Sequence, residues 1–320
     1  MPHDISRLHH VGHVVGDMAQ AMALYRRLGF RLPPPSVPAL APRDGGVPVP
    51  FGAANTHADL ARGFIELVTP VNAGSTAAGL PRDTRTVPLQ APPEKLPVLQ
   101  SRIEATSARL ADWRGQFEGL HILMFSSPDI DGAADRLTAA GVGHGGVNTV
   151  GRPVETPDGQ RTETVRYLEI GHGEGGEAAH EPPVGRIGVV ADLDPDFQHL
   201  RHLDHPNGAQ DLAEAVLCVA DDQLPFVRER FERYLGRPVD IDADAPLTLV
   251  RVTDLPDLLP GEQPPALPAL IACTVTVPDT ARVRALLEEN GLPVRETGRG
   301  EPFVPAAAAL GTALIFREAP

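Results

Sequence analysis

Residues 8–29 read LHHVGHVVGDMAQAMALYRRLG. An apolar run reaches Val15 and is followed by Gly16-Asp17. Met18, Ala21, Met22, Tyr25 and Leu28 then recur at three- and four-residue spacing, and Gly29 closes the stretch. The first part has the composition of a buried strand and the second has the period of an amphipathic helix. Asp17 stands where a carboxylate can accept from the free N–H groups of a helix's first turn. Glycine after the last apolar position is the usual stop, because it enters the left-handed conformation without strain. The stretch therefore predicts strand, cap, helix and stop.

The same grammar returns three times. Residues 120–141 read LHILMFSSPDIDGAADRLTAAG, residues 214–236 read EAVLCVADDQLPFVRERFERYLG, and residues 270–291 read LIACTVTVPDTARVRALLEENG. Asp17, Asp129 and Asp279 each precede their glycine by twelve residues, while Asp221 to Gly236 is three residues longer. Further strands are expected after each helix: 51–61 and 63–69, then 147–155, 161–171 and 184–191, then 246–253, then 293–297 and 310–317. A helix is expected over 94–114. Segments 33–50 and 256–268 read as proline-rich loops, and 172–183 as a surface loop. The expected architecture is an α+β fold of four βαβββ modules. The modules run at about 7–70, 117–192, 209–255 and 268–317.

Composition narrows the function. The 320 residues suit two domains. A net charge of −14 excludes a phosphate-backbone binder, and only 14 aromatic residues leave little for base stacking. Nothing in the sequence has the length of a membrane span, and the opening Met1-Pro2-His3-Asp4 lacks a secretory pattern. Cys218 and Cys273 lie in apolar runs and read as buried, reduced thiols, which points to the cytoplasm. The expected partner is a small molecule, with neither nucleic acid nor membrane, and the chain is expected as a monomer or homodimer.

If 51–60 and 63–69 form a hairpin about Ala61-Arg62, paired residues sum to 123. His57 then faces Glu66, and Asn55 faces Val68. A slip of one residue would put them on opposite faces.

Four such units, with LHHVGHVVGD opening the first and GFIELV closing it, resemble the vicinal oxygen chelate superfamily, in particular its glyoxalase-like branch with two tandem domains. The segments AANTHADLARGFIELV and HPNGAQDLAEAVLCVAD carry the same resemblance. It implies that modules pair into domains with an open sheet, the first two forming residues 1–200 and the last two residues 201–320, with a metal and its substrate on the concave side. It further implies ligands from the first and last strands of each module: His10 and Glu66 from the first module, His121 from the second. The fourth position falls near Gly188, which has no side chain to offer. Two imidazoles and a carboxylate suit Fe, Mn, Ni, Co or Zn and leave coordination positions for water and a bidentate oxygen substrate.

His57 has three open readings: an extra ligand, an acid/base, or a group orienting Glu66. Glu66 or His57 would be the catalytic base. Asn55, Arg152 and Arg166 are expected to contact substrate. His13 reads as structural, and His199, His202 and His205 read as part of the connector. In the last two modules the corresponding positions hold Glu214, about Ala272 and about Leu314, so that domain reads as degenerate. The expected activity is metal-dependent isomerase or lyase chemistry on a small carbonyl, enediol or diol compound. An Fe(II) dioxygenase and a non-catalytic sequestration protein are the alternatives.

Overall fold

The computed structural model describes residues 4–40, 46–71, 79–89, 94–156, 159–171, 184–192, 203–239 and 245–319, without the side chains of 152–161. The first module runs β1 (Arg7–Val14), α1 (Met18–Arg27), β2 (Ser36–Leu40), β3 (Val49–Pro50), β4 (Gly52–Asp59) and β5 (Phe64–Val71). A short β6 (Arg85–Pro88) and a long α2 (Leu96–Gln116) lead to the second: β7 (Gly119–Ser127), α3 (Ile130–Ala139), β8 (Asn148–Thr156), β9 (Gly159–Ile170) and β10 (Arg186–Ala191). The third is β11 (Asp211–Val219), α4 (Leu224–Leu235) and β12 (Leu247–Arg251), followed by a one-turn α5 (Leu255–Leu258). The fourth is β13 (Ala269–Val277), α6 (Thr280–Glu289), β14 (Arg295–Glu296), β15 (Pro302–Val304) and β16 (Ala313–Glu318).

The repeated punctuation behaves as its chemistry requires. Asp17, Asp129 and Asp279 accept from the backbone N–H of Gln20, Gly132 and Arg282, capping α1, α3 and α6. The third copy departs: α4 starts after Gln223 without a side-chain cap, and Asp221 accepts from Thr253 N instead. Of its three extra residues, two lie in this altered start and one lengthens the run to Gly236. Gly29, Gly141, Gly236 and Gly291 all take the left-handed conformation, with φ between 67° and 87°.

In the first module β1 pairs parallel with β5, and β5 antiparallel with β4. The second repeats this as β7–β10–β9–β8 and the fourth as β13–β16–β15–β14. The third keeps only β11–β12 among the described residues. Several expectations change: the stretch 256–268 begins inside α5, and β15 joins the fourth module between its two expected strands. The proline-rich stretch 33–50 contains β3 and β2; β2 bonds to β3, β4 and β6, and Ser36–Leu40 alternates buried and half-buried residues as a strand does. The stretch 70–116 contains β6 as well as the expected helix.

Modules join through their first strands, β1 antiparallel to β7 and β11 antiparallel to β13. One apolar core runs under α1, α3, α4 and α6, uniting residues such as Leu8, Met22, Phe125, Leu137, Phe231, Val275 and Leu287. The opposite face of the β1–β7 sheet, here called the inner face, has a separate cluster: Val14, Val68, Ile122, Met124, Val190 and, from α2, Leu110.

His13 is structural, as expected. It is fully buried on β1, with Nδ1 3.0 Å from the Tyr25 hydroxyl and Nε2 2.6 Å from the Leu310 carbonyl. Nε2–H donates to that carbonyl, and Nδ1 accepts from the tyrosine. Burial lowers its pKa from 6.5 to about 4, against the opposing pull of Leu310 O, and nearby His121 lowers it further. Between these values the unfolded chain binds a proton that the folded chain refuses. His13 stabilisation is therefore complete above about pH 6.5 and lost as pH falls towards 4. Urea unfolding across this range should lose about 3 kcal/mol from this group. The slope should flatten in His13→Asn, and an unchanged slope would remove His13 from the acid response.

Candidate functional site

The β4–β5 hairpin fixes the polar corner of the inner face. Its register is the expected one: His57 opposite Glu66, Asn55 opposite Val68, Asp59 opposite Phe64. On the other side of β5, His10 lies opposite Phe64 and Gly12 opposite Glu66. Alternation along each strand then puts His10, Phe64, Glu66, His57 and Asn55 on one face. The rings confirm it, with His10 stacked on Phe64 at 4.4 Å and His57 tilted against the same ring at 4.5 Å. His57 Nε2 is 4.0 Å from Glu66 Oε1, and the two side chains keep 20% and 13% of their exposure. His9 Nδ1 and His10 Nδ1 are 2.7 Å apart, so one carries a proton that the other accepts.

Asn55 was expected to contact substrate. Its amide instead holds the carboxylate: Nδ2 donates to Glu66 Oε1 at 3.0 Å, and Oδ1 accepts from Ser36 Oγ at 3.2 Å. Ser36 had no sequence signal beyond its place in a proline-rich stretch. The β2–β4 pairing that sets it opposite Asn55 supplies the link.

The second module contributes differently from expectation. The β1–β7 ladder pairs His10 with Met124 and Gly12 with Ile122. This register is symmetric, so the local two-fold exchanges His10 with Ile122 and Gly12 with Met124. Glu66 lies beside Gly12 and Gly188 beside Met124, so Glu66 exchanges with Gly188. His121 is the extra residue in a bulge opposite Gly12 and His13, and its counterpart is His9, the extra residue of the other bulge. His121 therefore does not join His10 and Glu66. It is buried, its Nε2 bonds Phe117 O at 3.0 Å, and it packs against Phe117 and Trp113. Burial lowers its pKa, and the bond to Phe117 O only partly offsets this.

Arg166 also leaves the site. It lies on the helix side of β9 and makes two bonds to Asp131 of α3, at 3.0 and 2.7 Å. Arg152, His199 and His202 lie outside the described residues and side chains. His205 is a buried strut: Nδ1 accepts from Arg31 N at 3.0 Å and Nε2 bonds Asp59 O at 2.6 Å.

Does this donor set fit a metal ion? Among the described residues no three His, Cys, Asp or Glu side chains group as a metal site. The positions that should supply the second module's ligands hold Ile122 and Gly188. A Cβ on Gly12 would lie 2.6 Å from Ile122, and one on Gly188 would lie 2.4 Å from Leu168 O and 2.6 Å from Met124 Cε. The expected trio of His10, Glu66 and His121 does not fit. Gly188→Ala should cost about 1–3 kcal/mol in thermal or urea unfolding, since backbone as well as side chain must yield. A neutral result would mean the space can be reopened.

The last two modules keep the same register. Val216 pairs with Ala272 and Glu214 with Thr274, so Glu214 is the counterpart of His10. Thr248, beside Val216, is the counterpart of Glu66. Ile315, beside Thr274, is the counterpart of Gly188, one residue from the expected Leu314. Glu214 is buried and fully engaged, accepting from Thr248 Oγ1 and, at 2.6 Å, from Arg317. Arg317 also binds Glu301. Burial opposes its charge, but the two carboxylates outweigh burial and keep it protonated. Arg317→Leu would strand the Glu214 carboxylate and should cost about 3–5 kcal/mol in urea unfolding. A loss below 1 kcal/mol would show the pair to be dispensable.

The sequence matches the model of the glyoxalase-like domain over residues 8–235, and the chain belongs to that family, within the vicinal oxygen chelate superfamily. No curated protein matches the chain. Among solved structures it is similar to a hypothetical protein from Staphylococcus aureus, at 9% identity and a TM-score of 0.57, covering 98% of this chain and 99% of that one. It is also similar to a mutant 4-hydroxymandelate synthase from Streptomyces coelicolor, at 13% identity and 0.51, covering 98% and 92%. A Mn(II)-bound glyoxalase from Novosphingobium aromaticivorans follows at 11% and 0.50, covering 99% and 83%. At these identities the likeness shows the fold. Among the described residues no helix is long and apolar enough to cross a membrane.

Proposed function

We propose that this glyoxalase-like protein binds a small carbonyl, enediol or diol compound at the His10–His57–Glu66 corner and moves a proton on it. One observation carries the reading: three adjacent strands put two imidazoles and a carboxylate on one face, with the carboxylate already aimed by Asn55. In this reading Glu66 takes the proton from the carbon beside the carbonyl. His57, directly across the hairpin, donates to the oxygen where charge develops. Phe64 lies against both imidazoles and limits their rotation. Residues 1–200 would carry this site, and residues 201–320 would be a second domain without one.

The superfamily's metal chemistry motivates a second reading, in which a divalent ion of Fe, Mn, Ni, Co or Zn is essential. The residues present supply two of the expected ligand positions, His10 and Glu66.

Exchange of the carbon-bound protons of hydroxyacetone in D2O, followed by NMR, decides between them. Exchange should persist in EDTA and fall by about 10²–10⁴-fold in Glu66→Gln, the usual range for a lost general base. His121→Ala should leave it unchanged. Exchange abolished by EDTA and restored by one divalent ion would establish the metal-dependent reading instead. Iron uptake with oxygen consumption would establish a dioxygenase. Binding without exchange would leave a sequestration protein.

A further inference from the structure

The inner face is polar at its module-one corner and at its far rim, where Arg186 of β10 binds Glu169 of β9. Between them lies an apolar floor: Val14 and Val68 continue β1 and β5, Ile122 stands at the counterpart of His10, and Met124 and Val190 lie beside it. The α2 helix lies on this apolar floor. Ile103, Ser107, Leu110 and Trp113 follow at spacings of four, three and three, the pattern of one helix face. Leu110 is buried in the floor cluster, and Trp113 packs against it. At one rim Ser107 Oγ bonds Gly52 O at 2.5 Å, with Ile103 directly over Gly52. At the other rim Arg109 reaches Glu169 of β9 at 3.9 Å.

Beyond its C-terminal end, where Trp113 and Phe117 pack on His121, the 21-residue helix is held at few points. Among its residues only Ser107 and Leu110 are buried, Lys95 gives no side-chain cap, and the Arg109 pair is half-exposed. A surface ion pair of this kind holds little. An apolar body of similar size could replace Leu110 and Trp113 on the same floor without exposing it to water.

We infer that the ligand is amphipathic, with an oxygen-bearing head at His10, His57 and Glu66 and an apolar chain on Val14, Val68, Ile122, Met124 and Val190, and that α2 is a strap this chain displaces. The inference rests on the proposed binding corner for its head group.

Trp113 is the one tryptophan in the sequence, so its fluorescence reports the strap directly. Racemic 2-hydroxyalkanoates of four, eight and twelve carbons are titrated into the full chain. Binding is measured by calorimetry, and Trp113 exposure by acrylamide quenching. Binding should tighten by up to about fourfold per methylene, the hydrophobic increment for full burial. Only the longer members should raise Trp113 quenching. Leu110→Ser, which loosens the strap, should tighten binding of the twelve-carbon compound by about tenfold, because less of the population is closed. If that variant does not fold, Arg109→Ala tests the same direction with a smaller gain.

Equal binding of all three lengths with unchanged Trp113 quenching overturns the strap while leaving the polar corner intact. Chain-length dependence that survives in His10→Ala/Glu66→Gln supports the floor and removes the head group from the corner. No binding by any member overturns the inference, and the hydroxyacetone exchange then judges the corner alone.

Discussion

The antiparallel contact between β1 and β7 governs the site. Each strand carries one bulge, at His9 and at His121, and the two bulges are related by the same local two-fold that pairs His10 with Met124 and Gly12 with Ile122. A bulge inserts one residue without a partner and shifts every later side chain to the other face. This register decides that His10 and Ile122 occupy equivalent inward positions, with His9 and His121 as the extra residues of the two bulges. It also brings Gly12 close to Ile122, a contact that leaves no room for a Cβ. The asymmetry of the inner face at the axis, with His10 and Glu66 on one side and Ile122 and Gly188 on the other, follows from which residue types occupy these few positions.

The β11–β13 contact repeats the arrangement with different chemistry. The counterpart of His10 is Glu214, and its charge is met inside the chain by the Arg317 guanidinium, with Thr248 filling the other lone pairs. A carboxylate buried this deeply is tolerable only when paired and hydrogen-bonded. Pairing removes it from chemistry: no oxygen of Glu214 is left without a donor. One register thus yields an accessible polar corner in one half and a closed ion pair in the other, a case of a shared fold without a shared site.

Much of this was legible in the sequence. The β4–β5 register could be read because a short turn fixes which residues sum to 123, and alternation does the rest. The misplacement of His121 has an equally local cause. His10 precedes its capping Asp17 by seven residues, and seven residues before Asp129 stands Ile122, not His121. The same count gives Glu214 and Ala272 for the other two modules. A histidine next to the correct position was more conspicuous than the position itself. The helix at 94–114 was visible from its pattern, but its seat on the inner face was not. Helical periodicity states which residues are buried, not against what. Arg166 was drawn to substrate by its charge, whereas strand parity already set it on the helix side with Leu168.

The last two modules act on the corner without touching it. His13 is three residues beyond His10 on β1, and its Nε2 is bonded to Leu310. Asp59 is two residues beyond His57 at the end of β4, and its carbonyl is held by His205. Arg62, in the turn between β4 and β5, is paired with Asp211, and Ala61 N bonds Gln210 O. Each of the strands that carry His10, His57 and Glu66 is thus gripped at or near its end by residues beyond 203. Two of these clamps are neutral histidines buried with both ring nitrogens satisfied, which fixes ring orientation as well as distance. Catalytic and binding groups need sub-ångström placement, and that placement comes from what holds their strands. Among the described residues the second half groups no ligand set of its own, yet its contacts hold the strands that carry the first half's corner.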